Sequence, residues 1–349
     1  MIISGQFVPG GRIPPERELL GMFDVSYMTL RRAIKDLADR GIIIRRGQRG
    51  SFLSSNALRL LENKKVNFVY STWEGPFFAE LLQAAVAEIE RCGYEASVVH
   101  FQENSTSKIQ EFLEHGEAVI IYGINSRDYP DSFKMITDSA NESGSALVII
   151  GTDDHVPGVY GVRADDAAAM KLALQCLQEA GHRRIMLATL NEYLNLKSYN
   201  RISKWFDYAR DEGYMDRRME YLVSLGSSRL NNLDNFRDVL CTALKSRPDD
   251  VTALICMNHA ILIAVLSAAW NLGIRIPEDL SLVVIGDTVL SDFSQPPISG
   301  VSVKLNRHME LAMQLIMDHE LQRTSASSPL IVQPELIRRA SVKVLNASN

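Results

Sequence analysis

Residues 12–53 read RIPPERELLGMF, DVSYMTLRRAIKDLADR and GIIIRRGQRGSFL in succession. In the middle segment Leu30, Ala33, Ile34 and Leu37 fall at the i, i+3, i+4, i+7 spacing of one buried helix face. Arg31, Arg32 and Lys35 lie largely off that face. Ser26 suits the N-cap, because its hydroxyl accepts from a free amide of the first turn, and Gly41 suits the position just past the end. A preceding helix starts at Pro14-Pro15, since proline fits a first helical turn, and its Leu19, Leu20 and Phe23 are expected to pack on the second. Ile42–Arg46 and Ser51–Leu53 then form two short strands, with Gly47 and Gly50 in the turn. The order is helix, turn, helix, basic hairpin.

Residues 1–55 hold nine Lys and Arg against five Asp and Glu, a net +4 in a chain of net −5, so the remainder carries −9. A basic helix by itself is usually a solvated face. The basic hairpin beside it and the charge asymmetry point instead to a surface for a polyanion, double-stranded DNA above all.

Residues 5–54 resemble a GntR-type winged helix-turn-helix. The likeness rests on the E-R-E-L segment at the first helix, V-S-x-x-T-[LV]-R in the second, L-x-x-x-G-I-I after it, and the arginine- and glycine-rich wing ending in Ser51-Phe52. The resemblance implies DNA contacts from Arg17, Ser26, Tyr27, Thr29 and Arg31, with Gly47, Gln48 and Arg49 at the wing. Three departures stand out. Tyr27 replaces the usual arginine after V-S, Pro15 replaces the usual capping serine, and the family's first helix is nearly absent because the chain begins so close to Gly5. A module of about 50 residues buries little core. Either a start assigned too late or a module that leans on its partner domain is expected.

At 349 residues the chain has room for two or three compact units, and 46% hydrophobic content fits a globular protein. No apolar run is long enough to span a membrane, and no signal peptide precedes the basic module, so a cytoplasmic location is expected. Cys92, Cys176, Cys241 and Cys256 are scattered without metal-ligand spacing, which suits free thiols. From Val66 onward, apolar runs such as VNFVYS, AVIIYG, ALVIIG, RIMLATL, TALICMN and LSLVVIG alternate with helical patterns. Continuous apolar strands separated by helices mean parallel sheets covered on both faces, here two doubly wound lobes. The expected fold class is α/β: a two-lobed unit preceded by a small α+β winged module.

Ligands of such sheets sit beyond the carboxyl ends of the strands. Those ends carry Ser71-Thr72-Trp73, Gly123-Ile124-Asn125, Asn191-Glu192-Tyr193, Met257-Asn258-His259 and Gly286-Asp287. Aromatic faces, amides and acids suit a polyhydroxylated ligand. Singly, each is as readily a turn or packing residue.

Residues 64–342 are similar to the effector domain of the lactose-repressor (LacI/GalR) family, itself related to periplasmic sugar-binding proteins. GPFFAELLQAAVAEIERCGY, VRADDAAAMKLALQCLQEAGHRRI, IRIPEDLSLVVIG, QPPISGV and IRRAS carry the likeness. It implies three crossings between lobes. The expected division is a winged module at 1–54, a linker at 55–65 and a two-lobed unit at 66–349. Lobe one takes about 66–162 plus 298–322, and lobe two about 163–297 plus 323–349. The resemblance implies effector contacts from Arg201, Asn258 and the Gly286-Asp287 site. Thr72, Trp73, Phe77, Asn191 and Tyr193 complete the candidate set. Here too the chain departs from the family: Lys204-Trp205 replaces Gly-Phe, and His259 replaces an aspartate. Gap-free spacing puts Gly286 on the first acidic position and Asp287 on the second, which leaves open which way Asp287 faces.

The chain has no phosphate loop, zinc-protease motif or nucleophile elbow, and no paired groups that suggest catalysis. No cofactor or metal is expected. The expected function is a homodimeric, ligand-responsive DNA-binding regulator, a repressor of sugar-utilisation genes relieved by a sugar-like effector between the lobes. A co-repressed regulator or activator is the alternative; a solute-binding protein or a sugar-modifying enzyme ranks lower.

Overall fold

The computed structural model describes residues 2, 5–23, 25–39, 41–55, 57, 64–71, 76–191, 200–226, 233–321 and 328–345. The small module comes first, with helices α1 (Glu16–Met22) and α2 (Tyr27–Asp39) and an antiparallel hairpin of β1 (Ile43–Arg45) and β2 (Ser51–Leu53). The hairpin pairs Ile43 with Leu53 and Arg45 with Ser51, and a 3-10 turn at Gly47–Arg49 closes it. Pro15 occupies the N-cap of α1 without a side-chain cap bond. Ser26 does cap α2: its Oγ accepts from Thr29 N at 3.2 Å.

Ile13, Leu19, Leu30, Ile34, Ile42, Ile43 and Leu53 form the module's core. Two expected packing residues lie elsewhere, for Ala33 and Phe23 are exposed. Ile13, from before α1, joins the core, and Leu20 packs against it as expected. The stretch read as a linker is shorter than expected at both described ends. Ala57 is buried in the module's core, and Lys65 already belongs to a strand.

Two six-stranded sheets follow. The first comprises β3 (Lys65–Tyr70), β4 (Glu95–His100), β5 (Ala118–Tyr122), β6 (Leu147–Ile150), β7 (Tyr160–Ala164) and β13 (Leu330–Val332). Their order is β13-β7-β6-β5-β3-β4, and every pairing is parallel. Helices α3 (Pro76–Arg91), α4 (Thr106–Glu114) and α5 (Pro130–Ser143) connect them. The second sheet comprises β8 (Ile185–Leu190), β9 (Leu222–Leu225), β10 (Ala253–Cys256), β11 (Ser281–Ile285), β12 (Ser299–Ser302) and β14 (Glu335–Ile337), ordered β14-β12-β11-β10-β8-β9. Only the β12–β14 pair is antiparallel.

Inner strands of both sheets are buried end to end, as LVII in β6 and SLVVI in β11 illustrate, because helices cover both faces. The helices of the second lobe are α6 (Asp166–Glu179), α7 (Asn200–Asp211), α8 (Leu233–Lys245), α9 (His259–Leu272) and the short α10 (Leu290–Phe293). The last helix, α11 (Leu305–Glu320), packs back on α3, β6 and β7 of lobe one.

The chain therefore crosses between lobes three times: between β7 and α6, between β12 and α11, and between β13 and β14. Two crossings differ from the sequence expectation. Ser299–Ser302 pairs with β11, so its backbone groups are satisfied in lobe two and the crossing falls after Ser302, not before residue 298. Leu330–Val332 pairs with β7, so part of the segment assigned to lobe two belongs to lobe one.

Candidate nucleic-acid interface and inter-lobe cleft

The outer side of the small module is built by α2 and the hairpin turn. Tyr27, Thr29, Arg31, Arg32 and Lys35 are all exposed on α2, as are Arg17 on α1 and Arg45, Arg46, Gly47 and Arg49 on the hairpin. The Ser26 and Thr29 hydroxyls share a 2.8 Å hydrogen bond at the start of α2, so each is held in place by the other. Thr29, Arg31, Arg32, Lys35 and Arg45 line an open groove of about 960 Å³ between helix and hairpin. Of Gln48, only the backbone is described.

Among the described residues, Arg12, Arg17, Arg31, Arg32, Lys35, Arg45 and Arg49 meet no carboxylate. In the body, by contrast, Arg163 pairs with Asp153, Arg201 with Asp166, Arg275 with Asp279 and Arg339 with Asp287. An unpaired, solvated cation meets a phosphate without first giving up a partner.

The second site lies between the lobes, at the carboxyl ends of the strands. Arg201, on the first turn of α7, is nearly enclosed. Its Nε donates to Asp166 Oδ1 at 2.7 Å, and its Nη1 reaches the Met257 carbonyl at 3.5 Å. Asp165 caps α6 through Ala168 N, which places Asp166 in the first helical turn, facing Arg201.

Across the cleft, Tyr122 ends β5. Burial pushes its phenol up to about 12, while the charges of Arg201 and Asp166 reach it from the other lobe with opposite signs. Asn258 follows β10 and caps α9, its Oδ1 accepting from Ile261 N at 2.9 Å. Its amide nitrogen has no partner among the described residues. His308 sits on α11 just past the second crossing. Burial holds its imidazole below the ordinary range against the pull of the Lys304 carbonyl and of Asp166.

Two contacts span the lobes at one rim. Phe77 on α3 lies against Gly286, where a Cβ would stand 3.6 Å from the ring. One turn on, Glu80 Oε1 accepts from Val289 N at 2.7 Å.

The candidate residues thus divide. Arg201 and Asn258 stand together around Met257, and Phe77 borders the same cleft at Gly286. Asn191 is exposed and accepts a short hydrogen bond from Ser224 Oγ, which ties it to the end of β9. Asp287 faces inward, bound by both oxygens to Arg339. His259 is buried in lobe two against Thr288 Oγ1. Thr72, Trp73 and Tyr193 lie outside the described residues. Sequence reasoning missed Tyr122, Asp166, Glu80 and His308. The first two adjoin segments it did single out, whereas Glu80 and His308 carry no local signal.

A model of the gntR family of bacterial regulatory proteins matches residues 1–53, and one of periplasmic binding protein-like domains matches residues 174–342. The chain joins a gntR-family regulatory domain to a periplasmic binding protein-like domain. It is 24% identical over 349 residues to the arabinose metabolism transcriptional repressor of Geobacillus stearothermophilus, covering 98% of this chain and 94% of that one. It is also 24% identical over 300 residues to the HTH-type transcriptional repressor PurR of Mannheimia succiniciproducens, covering 83% and 84%.

Among solved structures, the regulator CelR in complex with cellobiose superposes with a TM-score of 0.63 at 18% identity, covering 94% of this chain and all of that one. The LacI-family regulator CCPA of Weissella paramesenteroides with bound glucose gives 0.64 at 20% identity, covering 81% and 100%. The two-lobed fold is therefore that of these regulators. Among the described residues, no helix is long and apolar enough to cross a membrane.

Proposed function

We propose that this protein is a ligand-responsive transcriptional repressor of carbohydrate-utilisation genes, whose small module binds operator DNA and whose cleft takes a sugar-like effector. The solvated cations of α1, α2 and the hairpin carry the first half of this reading most directly, because they outnumber the acids of their module, Asp39 in the groove included, on an otherwise acidic chain. Arg201, Asp166, Tyr122 and the Asn258 amide support the second half: they offer donors and acceptors from both lobes around one space. The names of the arabinose-metabolism relative and of the cellobiose- and glucose-bound neighbours agree with a carbohydrate effector.

Effector binding closes the lobes by hinge motion at the three crossings and shifts operator affinity through the attached modules. A coupling of about 1–3 kcal/mol changes that affinity by about 5- to 150-fold. The working form is a cytoplasmic homodimer, since two-fold proteins read two-fold operators and the outer stripe of α9 offers Ile263 and Trp270 to a second copy. Gel-shift titration of the DNA upstream of the gene, with and without pentoses and hexoses, tests the reading. Tight binding released by one sugar is expected. Binding that no small molecule alters would remove the switch, and no binding would remove the regulator.

A further inference from the structure

The segment before α1 is a third strand of the wing. Gly10 N donates to Leu53 O at 3.0 Å, Leu53 N to Gly11 O at 2.8 Å and Ile13 N to Ser51 O at 2.9 Å, with Arg12 bridged antiparallel to Phe52. Phe52 pairs on its other side with Ile44. Directly opposed residues of antiparallel strands share a face, so Arg12, Phe52 and Ile44 form one row across the wing.

The same row holds a second cation, for the Arg46 guanidinium lies 5.1 Å over the Phe52 ring. Arg12 itself reaches toward the turn. A Cβ at Gly50 would stand 3.2 Å from its Nε and 3.3 Å from its Nη2, so the guanidinium turns its Nε–Nη2 edge to a backbone position that carries no side chain. Arg49 belongs to that turn. Three arginines from two separate chain segments therefore belong to the wing, and none meets a carboxylate among the described residues. Like charges held together without an acid repel one another in the free protein, and a polyanion relieves that repulsion.

We propose that Arg12, delivered by this third strand, is a DNA-contacting residue of the wing that binds a backbone phosphate beside Arg46 and Arg49. The inference rests on the nucleic-acid reading of the module. It assigns to the wing a residue that precedes the first helix in sequence. The contact adds affinity without base readout, because a phosphate carries no sequence information. Gly50 suits this place because its φ of 93° is one that side-chain-bearing residues rarely adopt, and a Cβ there would press on the guanidinium edge.

The test uses the full chain and a random-sequence DNA duplex, so it needs no knowledge of the operator. Binding is measured by fluorescence anisotropy between about 50 and 200 mM salt, where each phosphate contact contributes about 0.9 to the slope of log affinity against log salt. Arg12→Gln is expected to lower that slope by about 0.9 per bound module, with an unchanged melting curve, and Arg12→Lys to restore it. An unchanged slope in Arg12→Gln, beside a reduced one in Arg31→Gln, overturns the proposal. Loss of all binding by the unmodified protein overturns the nucleic-acid reading and the inference with it. Should Arg12→Gln fail to fold, phenylglyoxal labelling of the unmodified protein decides: duplex DNA should shield Arg12, and labelling of Arg12 that DNA leaves unchanged overturns the proposal.

Discussion

Asp287 and Arg339 meet through two parallel contacts, Nη1 to Oδ1 at 2.9 Å and Nη2 to Oδ2 at 3.0 Å, with the Asp287 side chain only 6% exposed. Arg339 also holds Asp292 at 2.6 Å and the Ile298 carbonyl at 2.7 Å. The acid at the end of β11 thus anchors the closing segment of the chain to lobe two rather than standing ready for a ligand. Removing Asp287 leaves Arg339 only the more exposed Asp292 as a carboxylate partner. Asp287→Ala is expected to cost about 1.5–3 kcal/mol in urea denaturation. Effector affinity, measured on the folded variant, should change by less than about threefold. A large affinity loss with intact stability would return Asp287 to the pocket.

Arg201 should behave in the opposite way. It reaches both Asp166 and the Met257 carbonyl from a position facing Tyr122. A hydrogen bond from a charged group is worth about 1.5–3 kcal/mol. Arg201→Ala is therefore expected to weaken effector binding about 10- to 100-fold by calorimetry while leaving DNA affinity without effector intact. The variant should act as a repressor that no longer releases.

This contrast marks how far the sequence could be read. Apolar strands such as AVIIY and LSLVVI announce a parallel sheet because helices bury both faces, and the strand ends then locate the cleft. The direction Asp287 faces is set by Arg339, 52 residues later, and no local pattern encodes that. Likewise β13 has two exposed residues among Leu330, Ile331 and Val332, so an edge strand of lobe one offers no periodic signal. In the small module the helix cap at Ser26 was legible because it is local. The reach of Arg12 to Gly50 was not, because it depends on a strand pairing across α1 and α2.

The Glu80–Val289 bond joins α3 of lobe one to the segment after β11 in lobe two. Such a bond exists only when this rim is closed, so it favours the closed form. Where the binding-competent state is fractionally populated, apparent affinity falls in proportion to that fraction. Glu80→Ala is expected to weaken effector binding about three- to tenfold and to enlarge the radius of gyration in small-angle scattering without effector. Equal radii for variant and parent would show that the bond does not bias closure.

Stability should depend on pH through buried histidines. Burial holds His182, His259 and His308 below the ordinary imidazole value of about 6.5. Each unfolded imidazole then binds a proton more readily than the folded one, so stability rises with pH across the interval between the two values. The stability these neutral rings contribute is present above pH about 6.5 and is lost as pH falls toward the lower folded values. Urea midpoints measured from pH 7.5 down to 5 should therefore decline. His259→Asn should flatten the decline, since one protonation site is gone.

Ile263 and Trp270 stand seven residues apart on α9 and are 43% and 86% exposed, while the opposite side of that helix is buried with Ile261, Leu262, Val265 and Ala268 in the core of lobe two. A seven-residue interval returns to the same helix stripe, so the two side chains extend one apolar surface. A large indole left in water gains about 1.5–3 kcal/mol when it is fully covered, and a two-fold contact covers it twice. Trp270→Glu places a charge at that contact without touching the core. Sedimentation should then show a monomer with the unfolding midpoint of a folded lobe, and operator affinity should fall because two half-sites are no longer bound as one unit. A dimer that survives the substitution would move the interface to another face.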